Sequence, residues 1–110
     1  VLETILQPDD TEERCGLILN DDSLVEIENT ADDKTGSYHM RAEAVLPFLA
    51  AGMVKGTWHT HPNSDPTLSG EDYSGFLDWP GLVHSIVGRR DGAVVVTTYK
   101  VEDGLVIACD

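Results

Sequence analysis

Thr57-Trp58-His59-Thr60-His61-Pro62 closes an apolar stretch that begins at Met53. Side chains alternate between the two faces of a strand, so His59 and His61 point the same way and converge. Pro62 cannot donate to a sheet ladder, which ends the strand directly after the second His. The segment Pro62-Asn63-Ser64-Asp65-Pro66-Thr67-Leu68 is built from turn formers. Two imidazoles thus lie at a strand end beside a loop, a place where sites are commonly built on a rigid scaffold. A lone H-x-H pair also occurs on ordinary wet strands, so the residues downstream decide its meaning.

After the loop comes Ser69-Gly70-Glu71-Asp72, then Tyr73, Phe76 and Leu77. S-x-x-D before an apolar run is a capping box, with Ser69 as N-cap and Asp72 in the first turn. The apolar spacing predicts a short helix, Gly70 to Trp79, that must end by Pro80. A first-turn carboxylate can cap its helix and still face a neighbouring strand. Two His and one carboxylate, with a fourth position open, form the ligand set of catalytic zinc. The same set also describes the facial triad of non-haem iron oxygenases, whose usual H-x-D…H order differs from the H-x-H…D order here.

Taken together, H-x-H-P and S-x-x-D, with seven residues between His61 and Ser69, resemble the signature of the JAMM (MPN-plus, JAB) zinc metalloproteases. That family also carries an upstream Glu, often as E-x-C-G before an apolar strand. This chain reads Glu13-Arg14-Cys15-Gly16-Leu17-Ile18-Leu19. The resemblance spans Glu13 to about Gly88. It implies one Zn2+ per chain, held by His59, His61 and Asp72. Glu13 would accept a proton from the zinc-bound water and pass it to the leaving amine. Ser69 would donate a hydrogen bond to the oxyanion. Without the resemblance, Glu13 reads as one more solvated residue of the acidic stretch Asp9 to Glu13.

The resemblance further implies a peptidase or isopeptidase acting on a protein with an extended tail. The H-T-H-P-N-S-D-P run looks most like prokaryotic and phage members of the family. A ubiquitin-like protein, cut after its C-terminal tail, is the expected substrate. The alternatives are a phage tail-assembly peptidase domain and a JAMM-like scaffold that has lost catalysis. The expected location is cytoplasmic, either in a host cell or in a virion tail.

A chain of 110 residues suits one domain with one core. We read residues 1–110 as a single domain, and its start at Val1 as that of a processed or excised piece. No stretch approaches the ~20 apolar residues of a membrane span, and no signal-peptide pattern opens the chain. The formal net charge is -13, which argues against nucleic acid, whose phosphates need a basic footprint. It fits either a basic partner or a plain acidic surface. Cys15 and Cys109 make no disulfide framework, and a reducing compartment is the simpler expectation.

The remaining pattern predicts strands at Cys15 to Leu19, Leu24 to Glu28, Tyr38 to Met40, Met53 to His61, Leu82 to Gly88, Ala93 to Tyr99 and Leu105 to Ala108. Arg41 to Ala51 reads as a helix despite Pro47, with Gly52 as its stop. Val1 to Leu6 reads as the tail of another helix. Turns fall at Asn20 to Ser23, Arg89 to Gly92 and Glu102 to Gly104. Trp58 alternates away from His59, into a core. His39 and His84 read as surface or hydrogen-bonded residues, and Trp79 either packs or lines a groove. The expected fold is a single-domain α/β sandwich with a mixed, mostly antiparallel sheet flanked by helices. That is the JAMM-like (cytidine deaminase-like) architecture.

Overall fold

Period-two alternation becomes six strands of one sheet in the computed structural model, which describes residues 1–109. The strands are β1 (Cys15–Leu19), β2 (Leu24–Ile27), β3 (Val54–Thr60), β4 (Val83–Arg90), β5 (Ala93–Glu102) and β6 (Leu105–Ala108). Two helices, α1 (Ala42–Ala50) and α2 (Gly70–Leu77), complete the elements, with a single 3-10 turn at Leu2–Thr4. The sheet order is β2-β1-β3-β4-β5-β6. Only β3 and β4 run parallel; the other four pairings are antiparallel. The sheet is therefore mixed and mostly antiparallel, as the pattern implies.

Turn chemistry sets most of the boundaries. Asp91-Gly92 and Asp103-Gly104 all adopt positive φ. Such Asp-Gly pairs make two-residue hairpins whose twist matches the strands. The expected turns at Arg89 to Gly92 and Glu102 to Gly104 thus shrink to two residues each. Strand β4 gains Arg89 and Arg90, and β5 runs on to Glu102. Helix α1 ends at Gly52, whose φ is 67°. Gly52 N–H bonds the Leu49 carbonyl, and Met53 N–H bonds Phe48 at 3.1 Å. This crossed pair satisfies the last orphan carbonyls, as a Schellman end does. Pro47 lies inside α1, so the helix runs through it on an exposed face rather than starting there.

Two sequence expectations fail. Tyr38 to Met40 forms no strand; Tyr38 turns inward instead and stacks on the His59 ring. Val1 to Leu6 is not a helix tail beyond the 3-10 turn at Leu2–Thr4. Its Leu6 is nevertheless buried, and Arg14 donates to the Ile5 carbonyl. The segment crosses the sheet as a strap.

Register decides what faces what. Leu17, Thr57, His84 and Tyr99 lie side by side across β1, β3, β4 and β5, so their side chains share one face. Helix α1 packs on Leu17 and Leu19 through Ala44, Val45 and Phe48. Helix α2 packs on Ile86 and Tyr99 through Phe76. Both helices therefore sit on the same face instead of flanking the sheet. Trp58, fully buried, points to the opposite face with Ser85 and Thr98, where the N-terminal strap lies. The place of Trp58 in a core is as expected. Each such fully buried aliphatic or aromatic side chain stabilises the fold by about 1.5–3 kcal/mol.

Gly16 sits on β1 between β2 and the Trp58 indole of β3. A Cβ there would collide with the Val25 carbonyl oxygen and come within 2.7 Å of the Trp58 indole nitrogen. We expect Gly16→Ala to destabilise the protein by about 2 kcal/mol in urea titrations. In the same experiment Gly75→Ala, whose Cβ meets nothing, should stabilise helix α2 by about 0.5–1 kcal/mol.

Candidate metal centre

The β3–α2–β4 unit brings a strand end and a helix start together. His59 is the penultimate residue of β3, and His61 extends the strand by one more ladder bond, donating from its N–H to the Val87 carbonyl at 2.8 Å. The expected strand, Met53 to His61, thus forms as Val54–Thr60 with His61 just past its end. The alternation that places both imidazoles on one face holds across that boundary. Helix α2 begins with the expected capping box. Ser69 Oγ accepts from the Asp72 N–H at 3.0 Å, and Asp72 Oδ2 accepts from the Ser69 N–H at 3.2 Å.

Three donor groups meet here. His59 Nε2 and His61 Nε2 are 3.2 Å apart. Asp72 Oδ1 lies 3.2 Å from His59 Nε2, and Oδ2 lies 3.3 Å from His61 Nε2. A tetrahedron built on metal–ligand bonds of about 2.0 Å has edges of about 3.3 Å, close to the 3.2 Å that separates the two imidazole nitrogens; Asp72 meets each ring with a different oxygen. Glu13 closes the group from the other side: its carboxylate and both imidazoles lie within 4.8 Å of one another. All four residues are buried. Glu13, His59 and His61 can hold a metal ion, and Asp72 adds a second carboxylate against the imidazoles.

The surroundings fix how these groups present themselves. His61 Nδ1 lies 2.9 Å from the Asp65 carbonyl. A carbonyl only accepts, so Nδ1 carries a proton; in the neutral ring the Nε2 lone pair then faces the centre, the arrangement that orients metal-bound His. The His59 ring stacks on Tyr38, with centroids 4.2 Å apart, and its Nδ1 is buried with no hydrogen-bond partner among the described residues. Burial alone would raise the Asp72 pKa, but hydrogen bonds from His59 and His61 outweigh it and hold the carboxyl far below its usual range. Burial pulls His59 down against the opposing Asp72 carboxylate. Burial also pulls at His61, but Asp72 and the Asp65 carbonyl win, and its pKa is raised. Burial pushes Glu13 up to about 7, against the pull of His61 and helped by Asp72, Glu71 and Asp33.

Glu13 is held by its backbone. Its N–H donates to the Lys34 carbonyl at 2.7 Å, and its carbonyl accepts from the Asn29 amide at 2.8 Å. The loop expected at Asn29 to Gly36 is the clamp that seats it. Ser69 stays exposed. Its oxygen serves the cap through a lone pair, leaving the O–H proton free to donate.

The remaining histidines and cysteines have structural partners instead. His84 is hydrogen-bonded and buried: Thr57 Oγ1 is 2.8 Å from its Nδ1, the Trp79 carbonyl is 3.2 Å from its Nε2, and Phe76 stacks on its ring. His39 is exposed and bonds Thr30. Neither touches the centre. Both cysteines are free, and burial pushes the Cys15 thiol up to about 12, so it packs as a small inert group. The sequence carries no signal for Tyr38 as an aromatic stacked on His59. Gly88 did leave a signal, since a glycine inside a strand pattern often marks close backbone approach.

No protein family matches the chain, and no curated protein sequence does. Its fold is similar to that of solved structures. One is a protein from Desulfitobacterium hafniense, with a TM-score of 0.64 at 19% identity over 98% of this chain and 80% of that one. Another is a protein from Salinibacter ruber, with a TM-score of 0.57 at 22% identity over 100% of this chain and 82% of that one. Likeness at these identities establishes the fold alone. Among the described residues, no helix is long and apolar enough to cross a membrane.

Gly88 gives a test of the centre that leaves every donor in place. The loop from Ser64 to Pro66 lies directly on it, and a Cβ would sit 2.6 Å from both the Ser64 carbonyl oxygen and the Pro66 nitrogen. Gly88→Ala must lift that loop and with it the Asp65 carbonyl behind His61. We expect metal affinity to fall by about 10–100-fold, read by chelator competition. Circular dichroism should show the sheet unchanged.

Proposed function

We propose that this chain is a zinc-dependent metallopeptidase or isopeptidase of the JAMM type, with one zinc per chain held by His59, His61 and Asp72. The observation that carries this reading is the convergence of two imidazole nitrogens 3.2 Å apart on the Asp72 carboxylate, one oxygen to each ring at 3.2 and 3.3 Å, with a second carboxylate, Glu13, beside them. The strand-end H-x-H and helix-start S-x-x-D on one β-α-β unit support the JAMM-like (cytidine deaminase-like) assignment of the fold. Between the two carboxylates, Asp72 suits the ligand role because it touches both imidazoles and is ionised. Glu13 suits the base role because its carboxylate takes up a proton far more readily than that of Asp72.

When bound, zinc supplies a Lewis acid and lowers the pKa of water to about 7. Glu13 takes one proton from the attacking water at its carboxylate. Ser69 donates its free O–H to the oxyanion that forms on the carbonyl. As the carbon–nitrogen bond breaks, Glu13 returns the proton to the departing amine. The substrate we assign is an amide bond in an extended protein tail, with a ubiquitin-like protein as the leading candidate. A site at a strand end beside a loop admits such a chain, and small residues at the bond let its backbone approach the centre.

Substitutions should separate the roles. His59→Ala and Asp72→Asn should lose most of the zinc measured in purified protein, whereas Glu13→Gln and Ser69→Ala should keep it. Equal zinc in His59→Ala and the parent would sink the site. Glu13→Gln should cut turnover about a hundredfold or more. Ser69→Ala should slow the chemical step by about a hundredfold and also lower stability by about 1 kcal/mol through the lost cap. A destabilised but fully active Ser69→Ala would make that residue a cap only. The substrate is tested with a panel of tail-linked ubiquitin-like fusions, whose cleavage a chelator should stop.

A further inference from the structure

The two imidazoles of the centre are held differently. His61 has the hydrogen bond between its Nδ1 and the Asp65 carbonyl at 2.9 Å. His59 has no counterpart: its Nδ1 is buried and meets no hydrogen-bond partner among the described residues. The ring torsion of a histidine has broad wells, so without such a bond the ring keeps its plane only by packing. Two aromatic rings supply that packing. Phe76 is tilted at 60°, with its centroid 6.1 Å from that of His59. Tyr38 lies much flatter on the ring, with centroids 4.2 Å apart and planes at 24°.

Tyr38 is itself pinned, and largely by one side chain. Asn29 Nδ2 donates to the Ser37 carbonyl at 3.0 Å, and Asn29 Oδ1 accepts from the His39 N–H at 3.1 Å. The residues on both sides of Tyr38 are thereby fastened. The Thr30 N–H closes the loop on the His39 carbonyl at 2.9 Å. Asn29 Nδ2 also donates to the Glu13 carbonyl at 2.8 Å, and Oδ1 also accepts from the Ala31 N–H at 3.0 Å. Both donors and both acceptor sites of the amide are therefore in use. One side chain joins the segment that carries Glu13 to the residue stacked on His59.

We propose that Tyr38 is the positioning residue of His59, doing with its ring face what the Asp65 carbonyl does for His61 with a hydrogen bond, and that Asn29 holds it there. The inference rests on the metal centre of the proposed function and adds the residue that orients one of its ligands. Groups that orient metal ligands typically govern affinity by about 10–100-fold.

The metal-free protein is titrated with zinc against a chromophoric chelator, and the visible spectrum of the Co2+-loaded protein is recorded. Tyr38→Phe keeps the ring face and should bind zinc as the parent does. Tyr38→Leu keeps apolar bulk without a flat face. Its zinc affinity should fall about tenfold or more, and the cobalt bands should shift. Asn29→Asp keeps the acceptor oxygen and loses both donors. Its added negative charge would by itself favour a cation, so a fall in affinity reports the lost bonds. That fall should be smaller, and the double variant should bind no more weakly than Tyr38→Leu alone, because the two act through one path. Ile27→Val, in the core under α1, is the control: it should lower the melting temperature and leave zinc affinity and the cobalt spectrum unchanged. A Tyr38→Leu that matches the parent in both readouts overturns the proposal, as does a Tyr38→Phe as weak as Tyr38→Leu. Additive losses in the double variant overturn the link through Asn29. Should Tyr38→Leu fail to fold, parent-like zinc affinity in Asn29→Asp overturns the proposal. A parent that takes up no zinc removes the metal centre itself, whereas tight zinc in the parent with an indifferent Tyr38→Leu removes only the role of Tyr38.

Discussion

A carboxylate that is 5% exposed is the constraint on which the rest of this structure depends. Burying the Asp72 charge would cost several kcal/mol if it were left alone. Three things offset that cost. The Ser69 N–H bonds one oxygen, the first turn of α2 presents the positive end of its dipole, and two imidazoles face the carboxylate at hydrogen-bond range. The consequence runs both ways. Asp72 can be buried only where a helix begins against the His pair, so the start of α2 is tied to the end of β3. One side chain thereby fixes the junction at which the two elements meet.

The far wall of the junction is set by sterics. Strand β4 lies parallel to β3 and must leave room for the loop that carries the chain from His61 to Ser69. Gly88 provides that room, because the loop backbone rests where a side chain would be. Arg89 then fastens the loop: its N–H donates to Ser64 and its guanidinium to the Pro62 carbonyl. The same guanidinium reaches the Gln7 carbonyl, joining the N-terminal strap to the loop that follows His61. The orientation of the His61 ring, set by the Asp65 carbonyl, is thus the last link in a chain of backbone contacts that begins on the opposite face of the sheet.

Much of this is legible in the sequence because it is local. Alternation predicts the strands, Asp-Gly pairs predict two hairpins, Gly52 predicts the end of α1, and the Ser69–Asp72 box forms as its spacing implies. The convergence of His59 and His61 follows from period two alone. The illegible part depends on distant partners. Tyr38 follows a loop and has strand-like neighbours, yet it leaves the sheet because the His59 ring offers it a stacking face. The N-terminal segment, Val1-Leu2-Glu3-Thr4-Ile5-Leu6, has apolar residues at helical spacing, but what holds it is distant in the chain: Arg14 and Arg89 bond its carbonyls at Ile5 and Gln7. Glu13 sits in an acidic run that composition marks as solvated, and only the clamp from Asn29 and Lys34 turns it inward. The placing of both helices on one face likewise follows from register across four strands, which no short window contains.

The division between core and site explains how a small chain can hold so polar a centre. Leu17, Leu19 and Ile27 pack under α1, while Phe76, Ile86 and Tyr99 pack under α2. These two clusters carry the apolar packing under the helices, and the donors belong to neither. Glu13 enters from the segment before β1, His59 and His61 from the end of β3, and Asp72 from the start of α2. No one element supplies the set, so its geometry is a property of the assembled sheet. With the two clusters holding the elements, the donors are free to point at one another across 3.2–3.3 Å. Imidazole protons shared with the Asp72 carboxylate hold the atoms at that range; a metal ion can take the place of those protons. The fold thus gathers, apart from its own apolar packing, polar atoms that can hold a positive ion.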